Sequence, residues 1–150
     1  MLRPACEILE RMADWGHFAS VVPSLADALY EQGRGHEAER WIDLAARWTL
    51  EDDLDAQIGW RRVRARLLAR RGDFDAAERL AHDAINLALK TDYLENRASA
   101  FTDLAEVLRL AGRTSEAAAF PPGGDRSLRP KGQRRRRPET APPARCDVDQ

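Results

Sequence analysis

Three glycines at nearly equal intervals constrain this chain more than any other feature. Gly33, Gly72 and Gly112 stand 39 and 40 residues apart, and the residues around them agree. Seven places before each glycine is an alanine (Ala26, Ala65, Ala105), four before is a leucine (Leu29, Leu68, Leu108), and five after is another alanine (Ala38, Ala77, Ala117). Ala45 and Ala84 add a further match in the first two units. Recurrence at a fixed period marks one supersecondary unit stacked on copies of itself. Glycine ends a helix at low steric cost. A small residue just inside the next helix lets two antiparallel helices approach closely. The pattern predicts an all-α chain, an α-solenoid of antiparallel helix pairs.

The glycines also set the layout. Residues 1–17 hold a lead-in helix near 5–14, read as the remnant of a preceding repeat. Repeats then cover 18–52, 53–91 and 92–120. Their helices are expected at 18–32 and 35–50, at 54–71 and 73–90, and at 92–111 and 114–120, with the last one cut short. Pro23 either sits in the first turn of a helix that begins near Val22 or kinks a longer one. Asp73 and Thr114 are expected N-caps. Asp52, Asp53 and Asp92 fall at other helix starts, where acidic side chains favour the macrodipole.

Composition divides the chain in two. Residues 1–120 carry 16 Lys/Arg against 21 Asp/Glu, whereas residues 121–150 carry 8 against 4. The sign of the charge changes where proline and glycine become frequent, which puts a boundary at Phe120/Pro121. The segment 121–150, with Arg134–Arg137 among prolines, cannot bury enough apolar surface to offset its ordering entropy, so a disordered basic tail is expected. The repeat pattern nevertheless demands a helix there. Codons for Pro121 onward can be chosen so that a one-base slip reads FRRAVIEAYDQKGNVVAA after Ala119, an amphipathic helix. On that reading the tail is a frameshift product and the chain a fragment of a longer protein. On the alternative reading the arginine run binds polyanions or nucleic acid through phosphate contacts. No sequence-specific nucleic-acid binding is expected, because the tail has no aromatic residue to stack on bases.

Catalytic and metal chemistry has little to build on. His17, His36 and His82 show no paired spacing, and Glu51-Asp52-Asp53-Leu54-Asp55 lacks the glycine and terminal glutamate of a calcium loop. The serines have no nucleophile-elbow context, and no phosphate-binding glycine loop is present. Cys6 and Cys146 form no C-x-x-C pattern and read as two unrelated thiols. Trp15, Trp41, Trp48 and Trp60 read as packing residues. No enzyme, no cofactor and no metal is expected. No apolar run is long enough to cross a membrane and the N-terminal residues lack a signal-peptide core, so a cytoplasmic protein with no membrane partner is expected.

One constellation stands out. Arg62, Arg66 and Arg70 lie at i, i+4 and i+8 on one stripe of the second unit's first helix. The matching positions of the neighbouring units hold Asp27 and Tyr30, and Asp103 and Glu106. The stripe reads in two ways: as a peptide groove whose arginines grip an acidic or C-terminal carboxylate, or as a salt-bridge ladder between helices.

The glycine-and-alanine skeleton resembles the tetratricopeptide repeat, with a period near 40 rather than 34. More narrowly, residues 25–33 (LADALYEQG), 64–72 (RARLLARRG) and 103–112 (DLAEVLRLAG) resemble the C-terminal repeats of bacterial adenylate/guanylate-cyclase-like and transcriptional-activator-like ATPases. The resemblance covers roughly residues 10–120. It implies a protein-interaction or regulatory segment of a larger signalling protein and carries over no catalytic residue. An array without its last helix is also expected to be marginally stable or to self-associate through the uncovered face.

Overall fold

The computed structural model describes residues 2–120. The expected disordered tail, its frameshift origin and its polyanion binding, and Cys146 with them, lie outside the described residues. Among the described residues seven helices succeed one another: α1 (Leu2–Arg11), α2 (Trp15–Glu31), α3 (Gly35–Trp48), α4 (Leu54–Arg70), α5 (Phe74–Ala88), α6 (Leu94–Leu110) and α7 (Thr114–Ala117). The fold is all-α, and its units are helix pairs.

The glycine turns are the same device used three times. Gly33, Gly72 and Gly112 adopt φ of 75°, 87° and 78°. In each turn the residue after the glycine donates its N–H back to the leucine carbonyl four places before the glycine. These bonds are Arg34 to Leu29, Asp73 to Leu68 and Arg113 to Leu108, at 2.9, 3.1 and 2.9 Å. The glycines themselves donate to Tyr30, Ala69 and Arg109. This paired closure satisfies carbonyls that the helix end would otherwise leave open. The turn from α1 into α2 uses the same bonds, Asp14 to Leu9 and Ala13 to Glu10, but places Ala13 at φ 55°.

The alanines behave as their spacing predicts. Ala26, Ala65 and Ala105, then Ala38, Ala77 and Ala117, then Ala45 and Ala84, are all buried. They let the pairs α2/α3 and α4/α5 close tightly. Larger side chains fill the remaining space in two connected clusters. One lies among α1–α4 around Phe18, Tyr30 and Ile42, the other among α4–α7 around Ile58, Leu104 and Val107. The fourth helix contributes to both.

The first helices of the pairs, α2, α4 and α6, pack side by side, α2 on α4 and α4 on α6, while the backbones of α3 and α5 stay apart. The first-helix layer is therefore the inner, concave layer of the solenoid, and α1 takes the position of a preceding second helix against α2.

Several local expectations are corrected. The first pair begins at Trp15, three residues before the expected start, because Asp14 accepts the His17 N–H and caps the helix there. That helix runs unbroken through Pro23 instead of beginning near Val22. Room for the proline ring comes from α4. A Cβ on Gly59 would lie 2.8 Å from Pro23 Cβ, so the glycine admits the ring between the two helices. Asp53 and Asp73 cap α4 and α5 through the N–H groups of Ala56 and Ala76, at 3.0 and 3.2 Å. Thr114 is not an N-cap. Arg113 holds that position and Thr114 is the first helical residue. Asp92 likewise stands outside α6, whose N-cap is Tyr93. The helix expected over 114–120 is α7, ending at Ala117, after which Phe120 stacks on Phe101 with ring centroids 5.8 Å apart.

The tryptophans pack rather than form a cage. Trp15 stacks on Trp48 at 4.5 Å, and Trp41 meets Phe18 at 6.1 Å. Trp60 packs against the first cluster and donates to Gln57.

Candidate functional site

The concave layer assembles every residue of the predicted constellation. Helix α4 presents Arg62, Arg66 and Arg70 on one stripe, between Asp27 and Tyr30 of α2 and Asp103 and Glu106 of α6. Parallel packing of the three first helices sets residues about 40 apart in sequence beside one another, which is why the repeat register placed them together. Arg62 donates to Asp103 at 2.6 Å. Arg66 donates to Glu106 at 2.7 Å and to Asp27, and stands 3.7 Å from Asp103. It also donates to Glu31, which the sequence pattern did not single out. Glu31 lies one turn beyond Asp27 on the same face, and that i, i+4 spacing was its only signal.

Tyr30 ties the network together. Its hydroxyl donates to Glu106 at 2.6 Å, and the guanidinium carbons of Arg66 and Arg70 lie 4.0 and 3.6 Å from its ring centroid. Both are cation–π contacts. Arg70 also donates to the Tyr30 carbonyl at 3.2 Å. The ring is buried and the phenol is pushed up to about 12, by burial first and then by the bond to Glu106.

The electrostatics separate the three arginines. Arg66 keeps 8% of its side chain exposed. Burial works against its charge, but Asp103, Glu31, Glu106 and Asp27 outweigh that and raise its pKa. Asp103 is 5% exposed, and burial raises its carboxyl above the usual range despite Arg62 and Arg66. Arg62 and Arg66 thus spend their donors on the protein's own carboxylates, as an inter-helix ladder does. Arg70 is exposed and, among the described residues, has no carboxylate within ion-pair distance.

Towards the start of the first helices the layer opens into a cavity of about 110 Å³ between α2, α4 and α6. Ser20, Ser24, Asp27, Asp55, Arg62 and Asn96 line it, with Pro23 and Gly59 also in its wall. Asn96 donates to Asp55 at 2.7 Å, and Ser20 donates to Asp53 at 3.3 Å. The cavity therefore offers carboxylate and hydroxyl oxygens beside an arginine whose Nε is already committed to Asp103. Such a lining suits a side chain that brings hydrogen-bond donors and positive charge.

The remaining candidates are scattered. His17, His36 and His82 lie exposed on α2, α3 and α5, and His17 contacts Asp14 at 2.9 Å. Among the described residues no group of three or more His, Cys, Asp or Glu could hold a metal ion. Cys6 is buried, which pushes its thiol up. No described helix is long and apolar enough to cross a membrane.

The helix pairs, the glycine closures and the small-residue contacts are those of a helical repeat. The profile of the tetratricopeptide repeat family matches residues 24–43 and 60–83. These segments span the turns at Gly33 and Gly72, so the two units built on those turns resemble repeats of tetratricopeptide type. No curated protein and no solved structure is significantly matched by the chain.

Proposed function

We propose that this chain is a protein-interaction module that holds a partner peptide along the concave layer of α2, α4 and α6, without catalysis. Tetratricopeptide repeats are interaction modules in general. The observation that carries the finer reading is the opposite character of the two ends of that layer. At one end the cavity beside Asp55 takes a cationic side chain. At the other, Arg70 is left to meet a carboxylate. Between them Arg62 and Arg66 are neutralised by Asp103, Glu106, Asp27 and Glu31. The arginine grip on an acidic or C-terminal carboxylate is thereby reduced to Arg70, while the other two arginines bind the helices to one another.

The two ends fix a direction and a length. Asp55 and Arg70 are 15 residues apart on α4, or ~22 Å at ~1.5 Å per residue. An extended peptide covers that in about seven residues. The partner motif is a basic residue followed or preceded, about seven residues away, by an acidic residue or a C-terminal carboxylate. The bacterial signalling or transcription-regulatory context, the longer parent protein and the cytoplasmic setting belong to this proposal. They are supported by the resemblance of residues 25–33, 64–72 and 103–112.

Selection from a random peptide library on the immobilised chain tests the reading. Enriched sequences are expected to share the basic residue and the distant carboxylate. Asp55→Asn and Arg70→Gln are each expected to weaken the selected peptide by about tenfold or more, the size of a charge-assisted hydrogen bond, with the helical content retained. Enriched peptides without either charge, or indifferent to both substitutions, would reject it.

A further inference from the structure

The two edges of the solenoid differ in kind. The edge that carries the turns within each pair is charged and paired: Arg34 with Glu37, Arg71 with Glu39, and Arg113 with Glu78 and Glu116. The opposite edge carries the connections from one unit to the next, and it collects exposed apolar side chains. Met12 is 69% exposed, Leu50 64%, and Tyr93 and Leu94 63% each. Trp48 and Leu89, at the ends of α3 and α5, are also exposed. Of the eight large hydrophobic residues exposed among the described residues, six are at this edge, and a seventh, Ile8, lies one turn before Met12. Scattered exposed leucines are ordinary, but confinement of such residues to one edge marks an interaction surface.

The edge is continuous. The hydrogen bond from Ser20 to Asp53 joins the starts of α2 and α4, and that from Asn96 to Asp55 joins those of α4 and α6. The apolar residues therefore form three groups in a row: Met12, then Trp48 with Leu50, then Leu89 with Tyr93 and Leu94. Neighbouring helices lie ~9 Å apart, and two turns of a helix rise ~10.8 Å. A helix laid along the row meets an apolar group about every two turns, which is the spacing of an amphipathic face. The exposed charges beside the second and third groups are mainly acidic: Glu51, Asp52, Asp92 and Glu95 against Arg47 and Lys90.

We propose that this edge docks an amphipathic helix of a partner protein, apolar on one face and flanked by lysine or arginine. A second copy of this chain would set acid against acid there, and an anionic membrane would be repelled by the same carboxylates. The site is distinct from the concave layer, which takes an extended peptide.

The test uses the full chain and a synthetic helical peptide of leucine and lysine with apolar positions repeating every seven residues. Fluorescence anisotropy is expected to show saturable binding that falls about tenfold or more in Leu50→Ser/Tyr93→Ser/Leu94→Ser. Arg70→Gln, which alters the concave layer, should leave this binding unchanged, so failure of one site is told apart from failure of the other. Should the triple variant melt at a much lower temperature, Met12→Ser/Leu50→Ser is measured in its place and is expected to lose binding as well. Equal binding by the edge variants would overturn the proposal, as would equal binding of a leucine–glutamate peptide. So would partition into phosphatidylserine vesicles in preference to the peptide, or a dimer in sedimentation that these substitutions dissociate.

Discussion

At Gly59 the side chain is missing because another residue occupies its place. Pro23 can neither donate to the preceding turn nor be accommodated beside a larger residue, so α2 and α4 approach through a proline on one side and a glycine on the other. Gly59→Ala puts a Cβ within 2.8 Å of Pro23 Cβ. It is expected to destabilise the chain by about 1–3 kcal/mol, the usual cost of overpacking, as read from a denaturant melt. Tyr30 gives the second prediction at this scale. Its folded pKa of about 12 lies above the ~10 of an unfolded tyrosine. Its contribution to stability is therefore complete below about pH 10 and is lost as pH rises through 12. In a Tyr93→Phe background, phenolate absorbance should appear only as pH nears 12, or abruptly if the chain unfolds first. Titration near pH 10 with the helices still folded would contradict the buried bond to Glu106.

For the helices, the decisive contact is the stripe on α4. Replacing Arg66 with methionine leaves Asp103, Glu106, Asp27 and Glu31 without their common partner. Removing one side of a buried pair costs about 3–5 kcal/mol, and Arg66→Met is expected to fall in that range in a thermal or denaturant melt. The members of the network are unequal. A double-mutant cycle of Arg66→Met with Glu106→Gln should show coupling above about 1 kcal/mol. The same cycle with Glu31→Gln should show less than about 1 kcal/mol, since Glu31 is 63% exposed. The stripe itself was legible as i, i+4 and i+8 spacing on α4, and its partners came from the repeat register. The choice between gripping a ligand and binding neighbouring helices was not legible. It depended on which carboxylates come within hydrogen-bonding reach of Arg62 and Arg66, and on whether any reaches Arg70. The caps show the same division. Asp73 was legible because a short acidic side chain suits the N-cap, and Asp53 only as an acidic residue near a helix start, whereas Thr114 was displaced by one residue through the closure that Arg113 makes to Leu108.

Across the whole molecule, α4 is the element that both apolar clusters share, and it packs on α2, α3, α5 and α6. A solenoid is held by contacts between neighbours, so its ends open more readily than its centre. Amide hydrogen exchange is expected to be slowest in α4 and α5 and fastest in α1 and α7. Uniform protection from α1 to α6 would show cooperativity reaching beyond neighbouring units. The same one-dimensional order produces the two unlike edges, because successive connections must alternate between the ends of the helices.

The periodic part of this protein is written in its residues. The glycine closures, the alanine contacts and the phase that brings Asp27, Arg66 and Glu106 together repeat every 39–40 residues. Each answers a requirement of backbone conformation or size that a single residue meets locally. Features without a period emerge only when the helices pack. The fit of Pro23 against Gly59 and the cavity beside Asp55 both arise where the chain brings separate segments side by side. Their partners are chosen by lateral packing, which leaves no fixed spacing to read.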